Sequence, residues 1–99
     1  MDNVQILAIG RNQAIMDVVL RLINQHPRWV GDLAPSVEAA LTLLRMEKYA
    51  VVLLCGGISE EEESALRSAA AALSVPPRIV RHYGGGSGLL ENEILQALQ

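Results

Sequence analysis

Few side chains in this sequence could do chemistry, and Cys55 is the first to weigh. It is the only cysteine, it closes an apolar run, and Gly56 and Gly57 follow it. A cysteine acts as a nucleophile when nearby cations or a helix N-terminus lower its pKa. Arg11 and the helix that follows the glycines offer that help, whereas Glu60, Glu61, Glu62 and Glu63 crowd negative charge beside it. A free thiol otherwise packs as a small hydrophobe, so an inert, buried or half-buried Cys55 is the expectation. His82 is the one side chain that could serve Cys55 as a base, and no third group to orient it is evident in the sequence. His26 abuts Pro27 in a turn. Two histidines and one cysteine at unrelated spacing make no zinc site, so neither a metal nor a cofactor is expected.

The other chemical feature is "YGGGSG". Gly84, Gly85, Gly86 and Ser87 precede a helical pattern, where backbone N–H groups and the helix dipole could cradle an anion. A phosphate-binding loop would add a lysine, which is missing, and a loop closing a shortened fold explains the same residues.

The elements that must position these groups alternate between two periods. "VQILAIG" is a nearly continuous apolar run, as in a strand covered on both faces. Asn12 then caps a helix whose apolar residues Ile15, Val18, Val19, Leu22 and Ile23 repeat at helical spacing, and His26-Pro27 ends it. "RWVGDLA" reads as a weaker strand whose Gly31 and Asp32 suit an edge. Ser36 caps a second helix with Val37, Ala40, Leu41 and Leu44 inward. Residues 49–54 form the strongest strand. Ser59 and Glu62 have capping-box spacing ahead of Leu66, Ala69, Ala70 and Leu73. Pro76-Pro77 stops that helix, "RIVRHY" gives a fourth strand, and Leu90, Ile94, Ala97 and Leu98 form a last stripe. The order βαβαβαβα predicts one α/β domain over residues 1–99. We expect a three-layer αβα sandwich around a four-stranded parallel sheet of flavodoxin-like order 2-1-3-4. The G-x-G-x-x-G fingerprint of dinucleotide-binding folds is missing after the first strand.

With those residues placed, "VGDLAPSVEAALTLLRMEKYAVVLLCGG" resembles the middle of response-regulator receiver domains, with Glu38-Ala39-Ala40-Leu41 as its helix element. "VQILAIGRNQAIMDVVLRLI" resembles their first strand and helix. The resemblance implies an acidic pair after the first strand and a phosphoacceptor aspartate after the third, which together hold a divalent cation. Here those positions fall on Gly10, Arg11 and Cys55. Arg81 falls where the family has a lysine if "RIVRHY" corresponds to the family's last strand, and the same residues read equally as its fourth. Hard oxygen ligands are therefore gone, and the resemblance implies a degenerate, shortened receiver without phosphorylation chemistry.

Composition narrows the remaining choices. Formal charge is −3 over 99 residues, which removes the basic footprint of a nucleic-acid binder. A single cysteine suits a reducing cytoplasm, and no run approaches the ~18 apolar residues of a membrane span. At 51% hydrophobic with no Phe, the chain carries more aliphatic side chains than one small core readily buries. Trp29, Leu43, Met46, Leu89 and Leu95 are candidate interface residues, for another protein or for a homodimer. Three functions remain in view. The first is a pseudo-receiver for signal transduction through protein–protein interaction. The second is a small enzyme or anion- or nucleotide-binding protein using Cys55, Arg11 and the loop 84–88. The third is a homo-oligomeric structural protein.

Overall fold

The uninterrupted apolar runs become the two strands at the centre of the sheet. Eight elements alternate along the chain: β1 (Val4–Ile9), α1 (Gln13–Gln25), β2 (Trp29–Ala34), α2 (Val37–Met46), β3 (Val51–Leu54), α3 (Glu60–Ala71), β4 (Arg78–Arg81) and α4 (Ser87–Ala97). The computed structural model describes residues 3–82 and 87–99, the side chains of residues 87–89 excepted. All four strands are parallel in the order β2-β1-β3-β4, so the expected flavodoxin-like topology is the one observed.

Successive strand side chains point to opposite faces, which splits the core in two. Ile6, Ala8, Val51 and Leu53 pack with Met16, Val19 and Ile23 of α1 and Leu90 and Ile94 of α4. Leu7, Ile9, Val52 and Leu54 pack on the other side with Ala40 and Leu44 of α2 and Leu66 of α3. Burying one such side chain contributes about 1.5–3 kcal/mol. Among the described residues, Trp29 is the aromatic member of the first layer and Tyr49 that of the second.

Each helix of the first three starts on its expected cap. The Asn12 side chain accepts the Ile15 N–H at 3.1 Å, and the Ser36 hydroxyl accepts that of Ala39 at 3.2 Å. Ser59 and Glu62 exchange both bonds of a capping box, each at 3.1 Å.

Three expectations are corrected, the first being that Leu98, expected on the inward stripe of α4, lies past the end of that helix and is exposed. The buried stripe of α1 is Met16, Val19 and Ile23, while Ile15 and Val18 lie exposed. Apolar residues cover more than half of that helix, so spacing alone did not set which face turns inward. Trp29 is not an exposed anchor: it is 6% exposed, its ring stacked on His26 with centroids 4.0 Å apart. It heads β2 where α1 ends, so its side chain fills the floor of the α1/α4 layer.

Candidate functional site

In an open parallel sheet, ligands meet the carboxyl ends of the strands. Gly10 and Arg11 follow β1, Cys55 follows β3, and Arg81 ends β4, so these four residues lie along one edge of the sheet. β1 and β3 are neighbours, and the Cys55 N–H reaches the Ile9 carbonyl at 2.8 Å.

Arg11 does not point into open space. Its guanidinium forks onto Glu62, Nη1 to Oε1 at 3.0 Å and Nη2 to Oε2 at 2.5 Å, and Nη1 also donates to the Gly57 carbonyl. Gly57 has φ +89°, a conformation open to glycine, and the Arg11 stem lies over its α-carbon. The pairing with Arg11 foremost, aided by the Ser59 N–H, pulls the Glu62 carboxyl down to about 2. Arg81 is engaged in the same way: its Nε donates to Glu63 at 2.5 Å and its Nη2 to the Ile58 carbonyl at 3.2 Å. Glu63 also accepts from Arg67 at 2.8 Å, and these two arginines hold its carboxyl below the usual range. The glutamate run is thus more than a solvated helix start. Two of its four members tie α3 to the ends of β1 and β4.

Cys55 lies in the α1/α4 core at 3% exposure. Burial, with the Glu93 carboxylate second, pushes its thiol up to about 11. The His82 N–H bonds the Leu54 carbonyl, which sets His82 beside Cys55, and its Nδ1 meets Glu93 at 2.5 Å. Glu93 is therefore the third group missing from the sequence reading. It orients His82 and raises the cysteine pKa rather than lowering it, so the three do not make an activated nucleophile. The signal for it in the sequence was faint: α4 carries two acids, Glu91 and Glu93, and only the second is partly buried.

Among the described residues no group of three His, Cys, Asp or Glu side chains could hold a metal ion. Gly10, Arg11 and Cys55 offer a divalent cation no oxygen and one positive charge, so a receiver's Mg²⁺ does not fit here. Gly84, Gly85 and Gly86 lie outside the described residues, and Ser87 is placed as the first residue of α4 without its side chain.

The interface candidates divide. Met46 is 71% exposed and Leu95 39%, Leu43 is half-buried against the α2/α3 layer, and the Leu89 side chain lies outside the described residues. Ile15 and Val18 join the exposed set, which the sequence reading had turned inward. Among the described residues, no helix is long and apolar enough to cross a membrane.

No protein-family model matches the chain, and no curated protein matches it in sequence. Its fold is similar to a solved structure, the lactose-specific IIB component domain of the phosphoenolpyruvate:carbohydrate phosphotransferase system from Streptococcus pneumoniae. The TM-score is 0.68 at 15% identity, over 98% of this chain and 92% of that one. At that identity the likeness establishes a flavodoxin-like α/β fold.

Proposed function

We propose that this chain is a pseudo-receiver, a protein-interaction module that has kept a receiver-like frame and lost phosphoryl chemistry. The observation that carries the reading is the bidentate Arg11–Glu62 pair. Where the receiver resemblance calls for acids and a cation, an arginine is neutralised by the protein's own α3. A phosphoryl group arriving there would meet a buried thiol with a pKa near 11 and a guanidinium already spoken for. The test is incubation with Mg²⁺ and acetyl phosphate, followed by intact-mass spectrometry. Unmodified protein is expected. A stoichiometric phosphoryl adduct on any strand-end residue overturns the reading.

A second reading is favoured by the fold likeness to a phosphotransferase-system component. In it Cys55, the thiol at the end of β3, would take a phosphoryl group and pass it on. The same mass measurement, repeated with a phosphorylated carrier protein as donor, separates the two: a phosphorylated Cys55 selects the second.

A further inference from the structure

The two edges of the sheet are finished differently. In parallel pairing, alternate residues of an edge strand bond inward and the others turn their N–H and C=O outward. On β2 the outward residues are Trp29, Gly31 and Leu33, since Arg28 and Ala34 bond β1. The Trp29 N–H is taken by the His26 carbonyl at 3.2 Å and the Gly31 N–H by the Asn24 side chain at 2.9 Å. That edge is blunted from within over its first two outward residues, and only the Leu33 N–H is left without an acceptor among the described residues. On β4, Arg78 and His82 bond β3 through the Ala50 and Leu54 carbonyls, so Ile79 and Arg81 face outward. Neither of their N–H groups has an acceptor among the described residues.

The surroundings of β4 are shaped for one more strand. Ile79 leans to the α2/α3 layer and Val80 to the α1/α4 layer, and both remain half-buried. An open groove of about 920 Å³ runs between α3 and the end of β4, past Ile58 and Arg81, and a second of about 430 Å³ borders Pro77, Ile79 and Ala97. The charge is cationic along the strand itself: β4 carries Arg78 and Arg81 and no acid. Glu63 answers Arg81, while Arg78 is exposed and has no ion-pair partner among the described residues.

We propose that the outer edge of β4 is a docking site for an extended, acidic peptide segment of a partner protein, which adds a fifth strand to the sheet. Main-chain bonds to Ile79 and Arg81 supply the pairing, two adjacent apolar residues cover Ile79 and Val80, and a flanking carboxylate meets Arg78. A second copy of this chain fits the edge less well. Two-fold pairing of β4 with itself would bring the arginines of both strands to one seam with no added acid. The inference rests on the protein-interaction reading and gives it a surface and a partner chemistry.

The probe is the blocked peptide Ser-Glu-Val-Ile-Glu-Ser, followed by fluorescence anisotropy and by amide hydrogen exchange on the full chain. Saturable binding is expected, with protection gained at the Ile79 and Arg81 amides. Arg78→Glu should bind about tenfold more weakly, and a peptide with lysines in place of its glutamates should recover that loss. Alternate N-methylation of the peptide should abolish binding in one phase and spare it in the other. No protection at Ile79 and Arg81 under millimolar peptide overturns the proposal, and so does equal binding of the lysine peptide to the unmodified protein. Protection of those amides without peptide, in a protein that sediments as a dimer, assigns the edge to a second copy and also overturns it. Either failure leaves the phosphorylation result untouched, so the two proposals fall separately.

Discussion

Arg11 and Glu62 meet across the carboxyl end of the sheet as a two-pronged pair, Nη1 3.0 Å from one carboxylate oxygen and Nη2 2.5 Å from the other. Glu62 Oε1 at the same time accepts the Ser59 N–H at 3.1 Å, so one carboxylate serves as helix cap and as counter-ion. The pair fastens the loop after β1 to the start of α3, over the place where the receiver resemblance puts a metal and a phosphoryl group. A charged partner of this geometry adds direction as well as attraction.

Acid should therefore loosen the fold in a defined window. The Glu62 carboxyl sits at about 2 in the folded chain against an ordinary 4.5. A depressed folded pKa gives stability that is fully present above the ordinary value and is lost as pH falls through the window toward the folded one. Glu62→Gln can still accept the Ser59 N–H but cannot pair as an ion. Urea midpoints measured between pH 7 and pH 2 should fall less steeply for Glu62→Gln than for the unmodified protein. Parallel curves would show that the pair contributes nothing to the native state.

Cys55 should be slow to label. With its thiol at about 11, roughly one molecule in ten thousand carries the thiolate at pH 7. Alkylation of the native protein by iodoacetamide should be far slower than that of the urea-unfolded chain, and should quicken toward alkaline pH. Cys55→Ala should fold, at a cost of about 1–2 kcal/mol for the small void left in the α1/α4 layer. Rapid labelling of the native thiol at pH 7 would instead reveal an activated nucleophile.

The strands and their order were legible because sheet burial leaves a local mark. Val51, Val52, Leu53 and Leu54 are all buried, and a run without polar interruptions is what such a strand requires. Three caps were legible for the same reason, since each acts within three residues. The site was not. Arg11 lies 51 residues from Glu62, and Arg81 lies 18 from Glu63, and four adjacent glutamates give no local sign of which two will be paired. The phase of α1 was missed where Ile15 and Met16 are both apolar neighbours, so either could have turned inward. At the other end the helix is seated on β2, where a side chain on Gly31 would lie 2.9 Å from Ile23 Cγ2.

Tyr49 and Asp32 form a further long-range tie. The Tyr49 hydroxyl donates to Asp32 Oδ2 at 2.7 Å, and burial with this bond raises the phenol above its ordinary pKa. The bond crosses β1 and holds the start of β3 to edge strand β2. Tyr49→Phe keeps the packing and leaves Asp32 half-exposed to water, so the cost should be about 1 kcal/mol. Chemical denaturation reads it directly. A loss beyond about 3 kcal/mol would mean that the ring had shifted and that packing, not the hydrogen bond, was lost.

Gly10 closes β1 directly against Met16, and any side chain placed there would have to move it. A β-carbon on Gly10 would lie 2.5 Å from Met16 Sδ and 3.1 Å from Cys55 Cβ. Met16 is one of the buried anchors of α1, so the methionine fills the space in which that side chain would have to fit. Gly10→Ala should cost about 1–3 kcal/mol through overpacking. Met16→Ala should cost about 2–5 kcal/mol through the cavity it opens. The two changes touch the same space, so they should not add: in the Met16→Ala background, Gly10→Ala should become nearly neutral. A double-mutant cycle by urea denaturation measures this coupling. Strict additivity would show that Gly10 is required by its backbone and not by the space Met16 fills.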